Sequence, residues 1–282
     1  MTIPGFVFLD IDHPVVAWAA YRGIISSAST QVTPVSSAIS MMFAEMIRTE
    51  NAIRLRNELV IESVRATRFP KQVSRLTGIF FFGDRADALR ASSWGGYFNS
   101  KYLSAVEVES AETVTQVDSK WITSAPLRED GSLDPLRLSW IDSYWRGAPY
   151  DSQPMWESIF IGRMWVCETE LRKLAYDYLK GMFPNALDTL ELSRLGAAVL
   201  SNIGRVVAWL TCDGIDSLQL AYYIDMQEAN DPEVLQRIAV HEGPRNFADL
   251  AIGKETLGLP DLREYSKRFN ISSTYTLPGT AN

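Results

Sequence analysis

The run Ile79-Phe80-Phe81-Phe82 constrains the fold of this 282-residue chain more than any other stretch. It is apolar on both of its alternating faces, which predicts a strand covered above and below and central in a sheet. A polar pair, Ser74-Arg75, leads into it. Gly83-Asp84 leads out, turning the chain into a short helix over 86–91. A second stretch, WESIFIGRMWV over 156–166, sets a carboxylate, Glu157, at the head of another apolar strand. About 80 residues separate the two stretches, so only tertiary structure brings them together.

Around these strands the pattern is mixed. Phe6 to Leu9 predicts a short strand, and Asp12 and Pro14 then suit a helix start, with a stop near Gly23. The Ser- and Thr-rich segment 26–37 reads as a loop. Apolar residues at three- and four-residue spacings predict a long helical stretch over 39–64, broken near Thr49-Glu50. Along it Arg48, Arg54, Arg56 and Arg65 alternate with Glu45, Glu50, Glu58 and Glu62, the pattern of a solvated, ion-paired face. Strands are expected over 102–108 and 113–117 and a short helix over 136–144, with a Pro- and Gly-rich loop at 146–154. After Cys167 the spacing predicts helices over 169–182, 190–210, 217–226 and 232–240, the last capped by Asp231. The expected fold class is therefore α+β, divided into a mixed domain, 1–167, and an all-helical interaction domain, 168–282.

Composition excludes several classes. The formal net charge is −7, against binding nucleic acid by general charge attraction. No apolar run approaches the ~20 residues that span a bilayer, and the N-terminus lacks the basic start of a signal peptide. Cys167 and Cys212 form no CxxC and read as free, buried thiols of a reducing compartment. The expectation is a cytoplasmic protein, in a bacterial or host cell, with no membrane contact.

Most catalytic signatures are missing. His13 and His241 are the only histidines and share no ligand spacing. Asp10 and Asp12 read as a strand end and a helix cap rather than a cation site, so no metal is expected. There is no GxSxG, GxGxxG or GxxxxGK[ST]. Two candidates remain. Ser74 and Arg75 offer a hydroxyl and a guanidinium that suit a ribose and a phosphate; the alternative is that Arg75 pairs with a nearby acid and Ser74 ends a loop. Glu157 stands among aromatic residues at a strand end, where partial burial makes an acid reactive; the alternative is an ordinary exposed strand-start Glu.

The order of the segments FPKQVSRLTGIFFFGDRADALRAS, YLSAVEVES and YWRGAPYDSQPMWESIFIGRMWV resembles the ADP-ribosyltransferase-like superfamily, in its bacterial and phage branches. The resemblance covers about residues 5–167. It implies a split β-sheet core that binds NAD as a substrate. It places Ser74 and Arg75 at the pocket strand, Tyr97 against nicotinamide and Glu157 as the catalytic acid. The family's first strand carries an Arg or His; here that strand is FVFLDID, and His13 just beyond it, or Arg22 further on, would take that place. The helical part would bind a macromolecular target, protein rather than nucleic acid. The competing expectation is an inert binding or inhibitor protein that keeps the fold, with a structural or assembly protein as a third.

Overall fold

The computed structural model describes residues 2–28, 32–33, 36–96, 98–109, 114–212, 217–242 and 257–270. In chain order the strands are β1 (Thr2–Phe8), β2 (Ile24–Ser26), β3 (Val32–Thr33), β4 (Ser36–Ile39), β5 (Ile79–Phe81), β6 (Leu103–Glu109), β7 (Val114–Asp118), β8 (Trp156–Phe160), β9 (Arg163–Val166), β10 (Arg205–Cys212), β11 (Ser217–Asp225) and β12 (Lys267–Asn270). The α-helices are α1 (Pro14–Arg22), α2 (Met41–Arg48), α3 (Ala52–Arg68), α4 (Arg85–Ala91), α5 (Lys120–Thr123), α6 (Trp140–Trp145), α7 (Thr169–Met182), α8 (Leu187–Ala198) and α9 (Pro232–Glu242). The fold class is α+β.

Among the described residues all strand pairings are antiparallel and form three sheets, ordered β1-β6-β9-β2, β5-β8-β7 and β12-β11-β10-β4-β3. The first two sheets meet where Phe6 and Phe82 exchange backbone hydrogen bonds, 2.8 Å each way. The stretch 156–166 is two strands rather than one. Gly162, at φ +152°, lets the chain leave β8 in one sheet and enter β9 in the other.

The Phe-rich run lies at the edge of its sheet, not at its centre; β8 is central. Its apolar character has a different cause. Phe81 packs edge-on against Phe160, 5.5 Å between ring centroids, while the open side is closed by the Phe6–Phe82 contact. Both faces and the free edge are thus covered without a second full ladder.

The local signals at helix ends behave as the residue types dictate. Gly23 closes α1 at φ +88°, donating to the Ala19 and Ala20 carbonyls. The break between α2 and α3 falls at Thr49–Asn51, with Asn51 capping α3. Asp231 accepts from Glu233 N at 2.9 Å at the start of α9. Asp12 does not cap α1. His13 does, its Nδ1 accepting from Val15 N, while Asp12 accepts from Lys101 Nζ at 3.0 Å and from Tyr102 Oη.

The all-helical expectation for 168–282 is corrected. Helix α7 forms as the spacing predicts, but the run 190–210 divides into α8 and β10, and 217–226 is β11. Leu218, Leu220, Tyr222 and Ile224 alternate with Gln219, Ala221 and Tyr223, a period of two that suits a half-buried strand. β10 pairs with β4, and α1 packs against both α7 and α8, so the C-terminal residues fold onto the N-terminal ones. Within 26–37, expected as loop, β3 and the start of β4 form an edge hairpin of the same sheet. Cys167 and Cys212 are free but exposed, since each sits just at or past the end of a strand. Parts of the tail from residue 253 onward lie outside the described residues.

One close approach explains an obligatory glycine. A Cβ on Gly78 would stand 2.5 Å from Ile159 Cγ2 and 2.8 Å from Val73 Cγ1, both in the packed layer that carries β8. Gly78→Ala is expected to lower stability by about 1–3 kcal/mol, the usual cost of overpacking. Chemical denaturation measures it; an unchanged midpoint would contradict this packing.

Candidate active site

A cavity of about 600 Å³ runs between the sheets and α2, within the range of small-molecule sites. At one end of its lining stand Glu157, Ser119, Arg75 and Phe80. Glu157 projects from β8 opposite Val117 of β7 and is 7% exposed. The Ser119 hydroxyl donates to its Oε2 at 3.1 Å. Ser119 is held by its own backbone N–H, which donates to the Met155 carbonyl at 2.9 Å, and beside it the buried Asp118 carboxylate accepts from the backbone of Lys120, Tyr150 and Met155 at 2.8–3.0 Å and pins the loop before β8. Burial pushes the Glu157 carboxyl above the usual carboxylate range; Arg75 and the Ser119 bond offset this in part.

Arg75 and Glu157 both line the cavity, but Arg75 is already engaged. It forms a buried ion pair with Glu58 of α3, and its Nη1 donates to Tyr144 Oη at 2.6 Å. Its guanidinium lies 5.0 Å from the Phe80 ring centroid. The reading in which Arg75 pairs with an acid is the one the structure takes. Ser74 likewise ends a turn: its Oγ accepts from Leu76 N at 3.1 Å, and it is not among the residues lining the cavity. Glu58, expected on a solvated face, is 4% exposed, because it lies on the stripe of α3 that also buries Leu55 and Ile61.

Tyr97 lies outside the described residues. Its neighbours Trp94, Gly95, Gly96 and Phe98 do line the cavity. Phe98 packs edge-on against Trp94 and Phe8, with centroids 4.7 and 5.2 Å apart. An aromatic wall suited to a flat ring therefore stands where SSWGG enters the structure.

His13 and Arg22 line the cavity as well. With Nδ1 accepting at the α1 cap, the His13 proton resides on Nε2, which is buried and makes no hydrogen bond among the described residues. Its ring lies 4.9 Å from that of Tyr265. Burial holds its pKa below the ordinary 6.5, with Glu45 acting the other way. A His kept neutral contributes stability that is full above 6.5 and is lost as pH falls through that value, because the unfolded chain then takes up the proton first. His13→Asn, which keeps a capping side chain, is expected to flatten the acid-side fall in melting temperature below pH 6.5. An unchanged slope would show that His13 does not titrate in this way.

Arg22 is buried and donates to the carbonyls of Ile24 (3.2 Å), Ile203 (3.4 Å) and Ser201. Burial, with Arg205 nearby, brings it down to about 10, so it stays charged at neutral pH. Arg205 of β10 reaches Asp225 at 3.4 Å, and its Nε is buried without a hydrogen bond among the described residues. Arg48 and Arg54 also line the cavity, where Arg48 pairs with Glu45. The lining therefore carries five arginines against three carboxylates, Asp10, Glu45 and Glu157. Three of the five are paired, Arg48 with Glu45, Arg75 with Glu58 and Arg205 with Asp225, so Arg22 and Arg54 supply the positive charge that would attract an anionic ligand. No group of three or more His, Cys, Asp or Glu among the described residues is placed to hold a metal ion.

Residues 23–172, just over half of the chain, match the family described as "Protein of unknown function (DUF2441)". The chain belongs to the DUF2441 family. Arg75, Ser119 and Glu157 all lie within the DUF2441 segment, whereas His13, Arg22 and the β10 wall lie outside it. No curated protein matches the chain. No helix among the described residues is long and apolar enough to cross a membrane.

Ser119 and Arg205 were not legible as site residues. VDSKW carries only a turn signal, and β10 reaches the cavity through its pairing with β4.

Proposed function

We propose that this DUF2441 protein is an NAD-dependent ADP-ribosyltransferase acting on a macromolecular target, with Glu157 as its catalytic acid. The observation that carries this reading is a buried carboxylate on the wall of a cavity otherwise rich in arginine. The two antiparallel sheets joined at Phe6–Phe82, with β8 and β9 divided between them, are compatible with a split-sheet core. The residues fit NAD by chemistry: Arg22 and Arg54 for the diphosphate, the Trp94–Phe98 wall for a ring, and Glu157 for the reacting sugar.

In such a reaction the bond between the ribose carbon and the nicotinamide nitrogen breaks. The electron pair leaves with nicotinamide, and the acceptor bonds to the carbon and loses a proton. Positive charge builds on the ribose ring in between. Ionised Glu157 would stabilise that charge in a site where little water competes. Ser119 orients the carboxylate through the 3.1 Å hydrogen bond. The −7 net charge favours a protein target over nucleic acid.

A second reading, an inert binding protein that keeps the fold, is favoured by β1, whose sequence TIPGFVF offers no basic side chain to the cavity. Incubation with NAD labelled in the ADP-ribose half, with and without cell lysate, separates the two. Release of nicotinamide and transfer of label support the transferase; their absence at all pH values supports the binding protein.

A further inference from the structure

We propose that Glu58 is a positioning residue for Glu157 and acts through Arg75: the α3 carboxylate claims the guanidinium and so sets how much positive charge the candidate acid feels. This deepens the transferase reading, and its catalytic consequence rests on that reading.

Four ionisable groups from four separate segments converge here. Glu58 comes from α3, Arg75 from the turn before β5, Tyr144 from α6 and Glu157 from β8. They are 4%, 6%, 0% and 7% exposed. Arg75 stacks on Phe80, whose partner across the β5–β8 ladder is Ile159, on the same face of β8 as Glu157, so the guanidinium bonds one carboxyl group and faces the other only across space. Glu58 receives both Nε and Nη2 of Arg75, the latter at 3.4 Å, and Tyr144 takes Nη1. Glu157 receives its hydrogen bond from the neutral Ser119 instead. Its other acidic neighbour, Asp118, is spent on three backbone N–H groups.

Burial and the Glu58 charge both favour the protonated form of Glu157, and Arg75 opposes them. Burial works against the Arg75 charge, and Glu58, Tyr144 and Glu157 together outweigh it, so the guanidinium remains a fixed cation. Glu58 neutralises a guanidinium that would otherwise be buried unpaired, and by the same ion pair it fixes how far that cation acts on the group beyond it.

The test is a carboxyl titration of Glu157 by carbon-13 NMR in the full chain, assigned with Glu157→Gln and run beside nicotinamide release as a function of pH. Glu58→Gln frees Arg75 toward Glu157, so the Glu157 midpoint and the acid limb of the rate profile are expected to shift to lower pH. The double variant Glu58→Gln/Arg75→Gln removes both charges and leaves a neutral pair. There the midpoint is expected to shift to higher pH, because Arg75 acts on Glu157 more strongly than Glu58 does. Arg75→Gln alone completes the cycle: a Glu58→Gln shift as large in that background as in the wild type would mean that Glu58 acts on Glu157 directly, and would overturn the proposal. A midpoint that stays in place in the folded variants overturns the proposal. Midpoints that move as described, in a wild type that releases no nicotinamide at any pH, support the coupling and overturn the transferase reading alone.

Discussion

Glu157→Gln is expected to abolish NAD cleavage while leaving the protein as stable as the wild type, or more so. The chemical loss follows from removing the negative charge that would face the ribose. Single electrostatic contacts made in a transition state are worth about 10²–10³-fold in rate, and a full charge in a buried site lies at or beyond the upper end. The stability half follows from burial. Glu157 is held above its ordinary 4.5, so the folded state prefers the neutral form. Ionisation therefore costs stability once the pH rises above 4.5, and the cost grows until the folded carboxyl has itself ionised. Gln is neutral at every pH, has the same shape and still accepts from Ser119. Its advantage should be present at pH 7 and vanish as the pH falls below 4.5. Thermal melts across pH 4–8 beside a nicotinamide-release assay measure both halves. Retained cleavage would remove Glu157 from the chemistry. Lower stability at pH 7 would mean that its charge is well paired in the fold.

Arg75→Gln is expected to have the largest effect on stability, a loss of roughly 3–5 kcal/mol, the range for breaking a buried ion pair by removing one partner. Two carboxyl groups, Glu58 and Glu157, would then share a dry site with no cation in contact, and Tyr144 would lose its 2.6 Å donor. The guanidinium also fills space against Phe80, which glutamine does not reach in the same way. Neutralising Glu58 as well should recover a large part of the loss, because the most costly orphaned charge is gone. Urea denaturation of the single and double variants gives the coupling. Equal destabilisation in both would mean that the Arg75–Glu58 pair is not the interaction that matters.

Local chemistry was enough where one residue type dictates one conformation. Gly23 ends α1 because a left-handed turn is needed there, the helical pattern breaks at Thr49-Glu50, and Asp231 starts α9. The amphipathic stripe of α7 needs nothing beyond its own spacing. The C-terminal strands show the limit. β11 carries a period of two that prevails over the helical spacing read there, and the apolar residues read as one helix over 190–210 are divided between α8 and β10. Gly204, at φ +69°, and the β4 partner decide where helix gives way to strand. Arg75 seeking an acid was one of two readings open from residue types. That the acid is Glu58 was not readable, because the pair joins a helix to a turn 17 residues away.

What the amino-acid sequence determined by itself was an α+β composition, most helix ends, and Glu157 as an acid at the head of an apolar strand. These depend on side-chain size, backbone freedom and hydrophobic period, which act over a few residues. Only the tertiary structure decided that the Phe-rich run is an edge closed by β1, that residues 156–166 split between two sheets, and that Arg75 belongs to Glu58. It also brought Arg22 and Arg205 to the cavity that Glu157 lines. Each of these is a competition for one partner among residues far apart in the chain. Burial settles it by removing the water that would otherwise serve them all.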